Sequence, residues 1–187
     1  MSLPQHSLTD TAVAAEITSM SAGATLISAS VRLALLCYAA TVAGRMLGFR
    51  GQRLRCLWTV GCLLFIVHVA AAFHYVHNWS HQAAIRTTAA ETRQLLGVAF
   101  GEGLWFSYAF VLLWLADAIW WWSSANSYLR RPRWLNLGLH GYLLFIAFNG
   151  AVIFEAGPTR LFGLFITTVL LLIVALRFRS RPHTDSR

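Results

Sequence analysis

His74, His77 and His81 are spaced i, i+3, i+7, so on one continuous helix they share a face. Two such imidazoles joined by a carboxylate such as Glu102 are the ligand types of zinc and non-haem iron sites. The same groups could instead relay protons or line a quinone pocket. The HxxH spacing of His74 and His77 is far less specific than HExxH, so a divalent metal on His74, His77 and Glu102 needs all three at one depth. Depth along the apolar segments also brings Arg32 and Glu155 to this layer. Pairing Arg32 with Glu102 or Glu155 would neutralise two charges that are costly in hydrocarbon and would fasten helices together. That ion pair, with the histidines capping the interface, is the plainest reading of the layer.

A second pair is expected at the opposite end. Asp117 lies near the end of one apolar segment and His140 near the start of the next, with Arg130, Arg131 and Arg133 in the loop between them. Antiparallel neighbours bring such a pair together as a helix fastener, although a His–Asp pair can also relay a proton. His68 points away from His74. Haem b held by two histidines needs them at matching depths on facing helices. His68 and His140 are offset by roughly nine residues, or ~13 Å at the helical rise, so a haem within one chain is not expected, and one shared with a partner subunit is the remaining form.

Other chemistries are missing from the sequence. All 15 basic residues are arginine, so no lysine can form a Schiff base with retinal or pyridoxal. Cys37, Cys56 and Cys62 form no CxxC or CxxCH pattern and read as buried thiols. GxSxG, Walker A and HExxH are absent. Gly101, Glu102 and Gly103 fall in an apolar run, where glycines permit close helix approach rather than phosphate binding.

The elements that must position these residues follow from composition. The chain has 187 residues, 57% hydrophobic and 12% charged, with a mean hydropathy of +0.57. A soluble domain carries about 25% charged residues, so a bilayer is the solvent this surface suits. Five apolar stretches approach the ~20 residues that span hydrocarbon: about 24–44, 56–77, 97–122, 136–156 and 160–177. Residues 1–22 read as a polar tail, frayed or forming a short surface helix, without the basic start of a signal peptide. Ser80 and the helix formers after it predict an amphipathic surface helix over about 80–95. Residues 23–178 then form one transmembrane domain, and 179–187 a basic cytoplasmic tail.

The net charge is +8. In a membrane protein an arginine excess sets orientation, so no nucleic-acid partner is expected. With the N-terminus outside, the inner segments hold eleven arginines and the outer ones three, Arg86, Arg93 and Arg160. The expected fold is all-α: five transmembrane helices in a cytoplasmic (inner) membrane, N-terminus out and C-terminus in. The expected role is a non-catalytic anchor or accessory subunit, with lipid, partner membrane subunits or a second copy as its partners. The alternative is a metal-, proton- or quinone-handling protein using the outer-face His/Glu/Arg layer.

Overall fold

The computed structural model describes residues 5–153 and 157–179. They are helical, with no strand among them. The elements are α1 (Gln5–Met46), α2 (Gln52–Tyr75), α3 (His81–Leu96), α4 (Gly103–Ser123), α5 (Ala125–Arg130), α6 (Arg133–Phe148), a π-helical turn (Asn149–Ile153) and α7 (Pro158–Arg179). Four helical segments are long and apolar enough to cross a membrane: Met20–Met46, Gln52–Tyr75, Gly103–Ser123 and Arg133–Ile153. The described apolar stretch of α7, Arg160–Leu172, is shorter than those four.

The element boundaries have local causes. The expected tail is part of α1, which runs unbroken from Gln5 because nothing from His6 to Ala22 breaks a helix. The α2 helix stops at Tyr75, and Asn78 and Trp79 take left-handed backbone angles (φ 47° and 57°) that redirect the chain. Ser80 then caps α3, its hydroxyl accepting from the Ala83 amide at 3.2 Å. Gly97 closes α3 at φ 77°, the left-handed position that glycine takes without strain. The π-turn follows from Asn149, whose side-chain amide donates to the Phe145 carbonyl at 2.7 Å, crowding the ordinary i−4 ladder.

The interior is aromatic. Tyr38, Trp58, Phe110 and Trp114 are each 1–2% exposed. The Trp58 and Trp114 rings lie 5.1 Å apart and Tyr38 meets Trp114 edge-on at 5.7 Å. The outside is apolar, with Leu63, Leu112, Ile119 and Leu137 exposed beside aromatics such as Trp134 and Phe145. An apolar outside around a polar and aromatic inside suits lipid rather than water. α1 packs along α2, α2 along α4, and α7 returns along α1 and the π-turn.

Two glycines sit at close helix–helix contacts. A Cβ on Gly163 would sit 2.8 Å from the Ala151 carbonyl oxygen, so α7 lies directly on the π-turn backbone. A Cβ on Gly61 would sit 2.9 Å from Cys37 Cβ and 3.0 Å from the Trp114 ring, where α1, α2 and α4 meet. Gly61→Leu should therefore lower stability by about 1–3 kcal/mol through overpacking. Gly138→Ala, where a Cβ meets nothing within 4 Å, should change it by less than about 1 kcal/mol. Thermal unfolding in detergent checks both, and equal melting temperatures for wild type and Gly61→Leu would contradict the three-helix junction.

Candidate functional site

The most developed polar site lies where α1 ends, α4 ends and α6 begins. Asp117, on the last turns of α4, is buried. Its Oδ1 forms an ion pair with Arg131 Nη1, and the two side chains are 2% and 3% exposed. Its Oδ2 accepts from the Tyr128 hydroxyl at 2.9 Å. The six-residue helix α5 makes this possible by turning the chain back so that Tyr128 and Arg131 reach the end of α4. Pro132, extended at φ −63° and ψ 148°, then starts α6.

Further groups complete the cluster. Asn136 Oδ1 accepts from Arg131 Nε at 3.1 Å and also from its Nη2. Arg45, from the end of α1, donates to the Tyr128 hydroxyl at 3.0 Å and reaches Asn136 Oδ1 at 3.4 Å. Both guanidiniums lie over the Tyr128 ring, Arg131 at 4.2 Å and Arg45 at 5.4 Å. Tyr128 also stacks on Trp121, with 4.7 Å between centroids and 7° between planes. His140 Nε2 lies 3.4 Å from both Arg45 Nη1 and Arg131 Nη2. Guanidinium only donates, so Nε2 is the acceptor and the ring is neutral, with its proton on Nδ1. That Nδ1 is buried without a hydrogen-bond partner.

The expected Asp117–His140 juxtaposition thus takes a different form: Arg131 stands between the two and takes the carboxylate for itself. Depth arguments bring Asp117, His140 and the arginine loop together. They miss Arg45, Tyr128 and Asn136: Tyr128 lies in the polar run between the two apolar segments, whereas Asn136 opens the second of them and Arg45 lies at the end of a different span, and no spacing in the sequence brings these to the cluster.

The outer layer is arranged otherwise. Because α2 ends at Tyr75, His74, His77 and His81 do not share one helical face. His74 Nδ1 accepts from the Trp79 indole at 3.3 Å. His77 lies beside the Phe73 ring, and burial lowers its pKa from the usual imidazole range. His81, on α3, bonds to the Tyr108 hydroxyl at 2.9 Å. Glu102 is exposed at the start of α4 rather than inside a span. Residues 97–102 form a connector, pinned by Thr92 Oγ1, which accepts from the Phe100 amide at 2.9 Å. No three His, Cys, Asp or Glu side chains converge as metal ligands among the described residues, so His74, His77 and Glu102 are not brought together. Arg32 is half-buried on α1, and among the described residues Glu102 makes no ion pair, so Arg32 and Glu102 are not paired with each other. Glu155, the other partner considered, lies outside the described residues. His68 donates from Nδ1 to the Ile27 carbonyl at 2.9 Å, tying α2 to α1.

Burial, then the neighbouring Asp117 charge, raise the Tyr128 pKa well above the usual phenol range, with the two guanidiniums pulling the other way. A folded-state pKa raised above the unfolded one contributes stability that is complete below about pH 10 and is lost as pH rises further. The melting temperature should therefore fall more steeply above that pH in wild type than in Tyr128→Phe, and parallel curves would contradict the buried phenol. The chain matches no family model, no curated protein and no solved structure, so its reading rests on this geometry.

Proposed function

We propose that this protein is a multi-pass component of the cytoplasmic (inner) membrane, a non-catalytic anchor or accessory subunit. Five helices cross the membrane in this reading, α7 included, with the N-terminus outside and the C-terminus inside. The arginine excess of eleven to three supports that orientation. One observation carries the role: the buried carboxylate Asp117 has both oxygens occupied, by Arg131 and Tyr128. In this cluster, the carboxylate that could move a proton or hold a metal is committed to fastening α4 to the segment before α6.

A ligand-handling reading has one observation in its favour. A cavity of about 450 Å³ lies at the other end, between α3, α4 and α6, lined by Glu91, Phe100, Phe106, Ser107, Phe145 and Asn149 among others. Burial raises the Glu91 pKa. Its size and mixed lining suit an amphipathic molecule such as a quinone, but His74, His77 and Glu102 do not line it.

The fastening role has a clear mutational signature. Asp117→Asn leaves the Arg131 guanidinium buried and unpaired, which should cost about 3–5 kcal/mol. Adding Arg131→Gln should recover more than about 1 kcal/mol of that loss. Thermal unfolding and the yield of monodisperse protein read both effects. Normal stability for Asp117→Asn, or no recovery in the double variant, would sink the fastener. The accessory role predicts that gentle detergent extraction from native membranes gives an assembly larger than the single 20.8 kDa chain. A lone chain in its micelle would overturn it.

A further inference from the structure

A cavity of about 250 Å³ opens where α1 turns into α2, beside the buried cluster. Three arginines line it: Arg45, Arg50 and Arg55. Among the described residues none of the three has a carboxylate partner. We infer that this cavity binds a phosphate-bearing anion, gripped by the guanidiniums of Arg45, Arg50 and Arg55.

Charge makes the first argument. The cluster behind the cavity sets two guanidiniums, Arg45 and Arg131, against one carboxylate, Asp117, while His140 is neutral. One positive charge is left over on its cavity side, where Arg50 and Arg55 add two more. Arg45 and Arg55 are half-buried and Arg50 is exposed beside them, and like charges gathered so closely repel one another unless an anion sits among them.

Pre-organisation makes the second. Arg45 is held by Tyr128 and Asn136 and lies over the Trp121 ring at 5.4 Å, leaving part of its five-donor fork unused. Arg55 is held over the Trp122 ring at 4.9 Å, and its Nε is buried with no hydrogen-bond partner. Two of the three guanidiniums are therefore already oriented before anything binds. Planar forks of this kind match phosphate oxygens two at a time.

The backbone makes the third. Gly51, also in the lining, precedes α2 at φ 119° and provides no side-chain cap. The first amides of α2 are left without a side-chain acceptor, at the positive end of the helix dipole. The remaining lining is partly apolar, with Leu54, Trp121 and Leu129. A phosphate attached to an apolar chain fits such a lining, as in the basic pockets at helix ends that hold lipid headgroups. The same chemistry would accept a free phosphate. The inference does not depend on which face of the membrane is cytoplasmic, nor on the accessory role proposed above.

The test uses the full chain, purified free of lipid, in a neutral detergent. Phosphatidylglycerol and phosphatidylcholine of equal chain length are titrated in by native mass spectrometry, and inorganic phosphate is titrated against melting temperature. The variants are Arg50→Gln, Arg50→Gln with Arg55→Gln, and Arg53→Gln. Arg53 is exposed on the same turn but does not line the cavity, so it controls for diffuse charge. Phosphatidylglycerol should bind at least about tenfold tighter than phosphatidylcholine, and the double variant should lose that preference while Arg53→Gln keeps it. A stabilisation by inorganic phosphate that needs Arg50 and Arg55, with no preference between the lipids, would assign the site to a soluble phosphate. If Arg53→Gln is as damaging as Arg50→Gln, or if neither probe depends on Arg50 and Arg55, the site is overturned. Arg50 is exposed and forms no ion pair among the described residues, so its single variant keeps the test valid where the double variant fails to fold.

Discussion

A guanidinium and a carboxylate held together out of water set the terms for this end of the protein. Neither Arg131 nor Asp117 can be exposed on its own at that depth without a penalty of several kcal/mol. Their attraction offsets this only when the remaining donors and lone pairs are also satisfied. That requirement explains the neighbours. Tyr128 takes the second carboxylate oxygen, and Asn136 takes the far side of the guanidinium. A short helix and a proline turn place the groups. The α4–α5–α6 connection is thus a consequence of one buried pair, and its packing on Trp121 follows from the same geometry.

The two ends of the bundle contrast for the same reason. At the arginine-rich end, polar groups are bonded to one another and stacked on indole and phenol rings, and little freedom remains. At the other end the packing is more open. The π-turn gives α6 an irregular wall, α3 spans the gap, and a cavity of about 450 Å³ is left between them. Such irregular backbone is tolerated at membrane depth where it is covered by protein or lines a cavity. Here α7 covers part of it, with Gly163 against Ala151.

Much of the architecture was legible from residue types. Of the five stretches that apolar length picks out, four are helices long and apolar enough to cross, because hydrocarbon thickness leaves few alternatives, while the described apolar stretch at the fifth, Arg160–Leu172, is shorter. Relative depth placed Asp117, His140 and the Arg130–Arg133 loop at one end, because helix rise is nearly constant. Depth does not fix azimuth, however, and it could not show that Arg131, rather than His140, would take Asp117. The outer layer was misread where one turn of backbone decides everything. Asn78 and Trp79 break the helical register after Tyr75, so an i, i+3, i+7 pattern never becomes a face. Gly97 ends α3 and leaves Glu102 on a connector, although its apolar neighbours look like a helix. Hydropathy averages over the short irregular steps that place single side chains.

Arginines that look alike in a charge count do different work here. Arg53, Arg130 and Arg133 are exposed, and in the proposed orientation they add to the arginine excess on the inner side. Arg131 is consumed by Asp117. Arg45 belongs to both groups: its hydrogen bonds tie α1 to α5 and α6, yet among the described residues no carboxylate pairs with its charge. A residue that is sterically required but electrostatically unbalanced couples packing to whatever anion lies nearby. Stabilising the folded chain and attracting that anion are then two readings of one free energy, since anything that binds the folded state alone stabilises it.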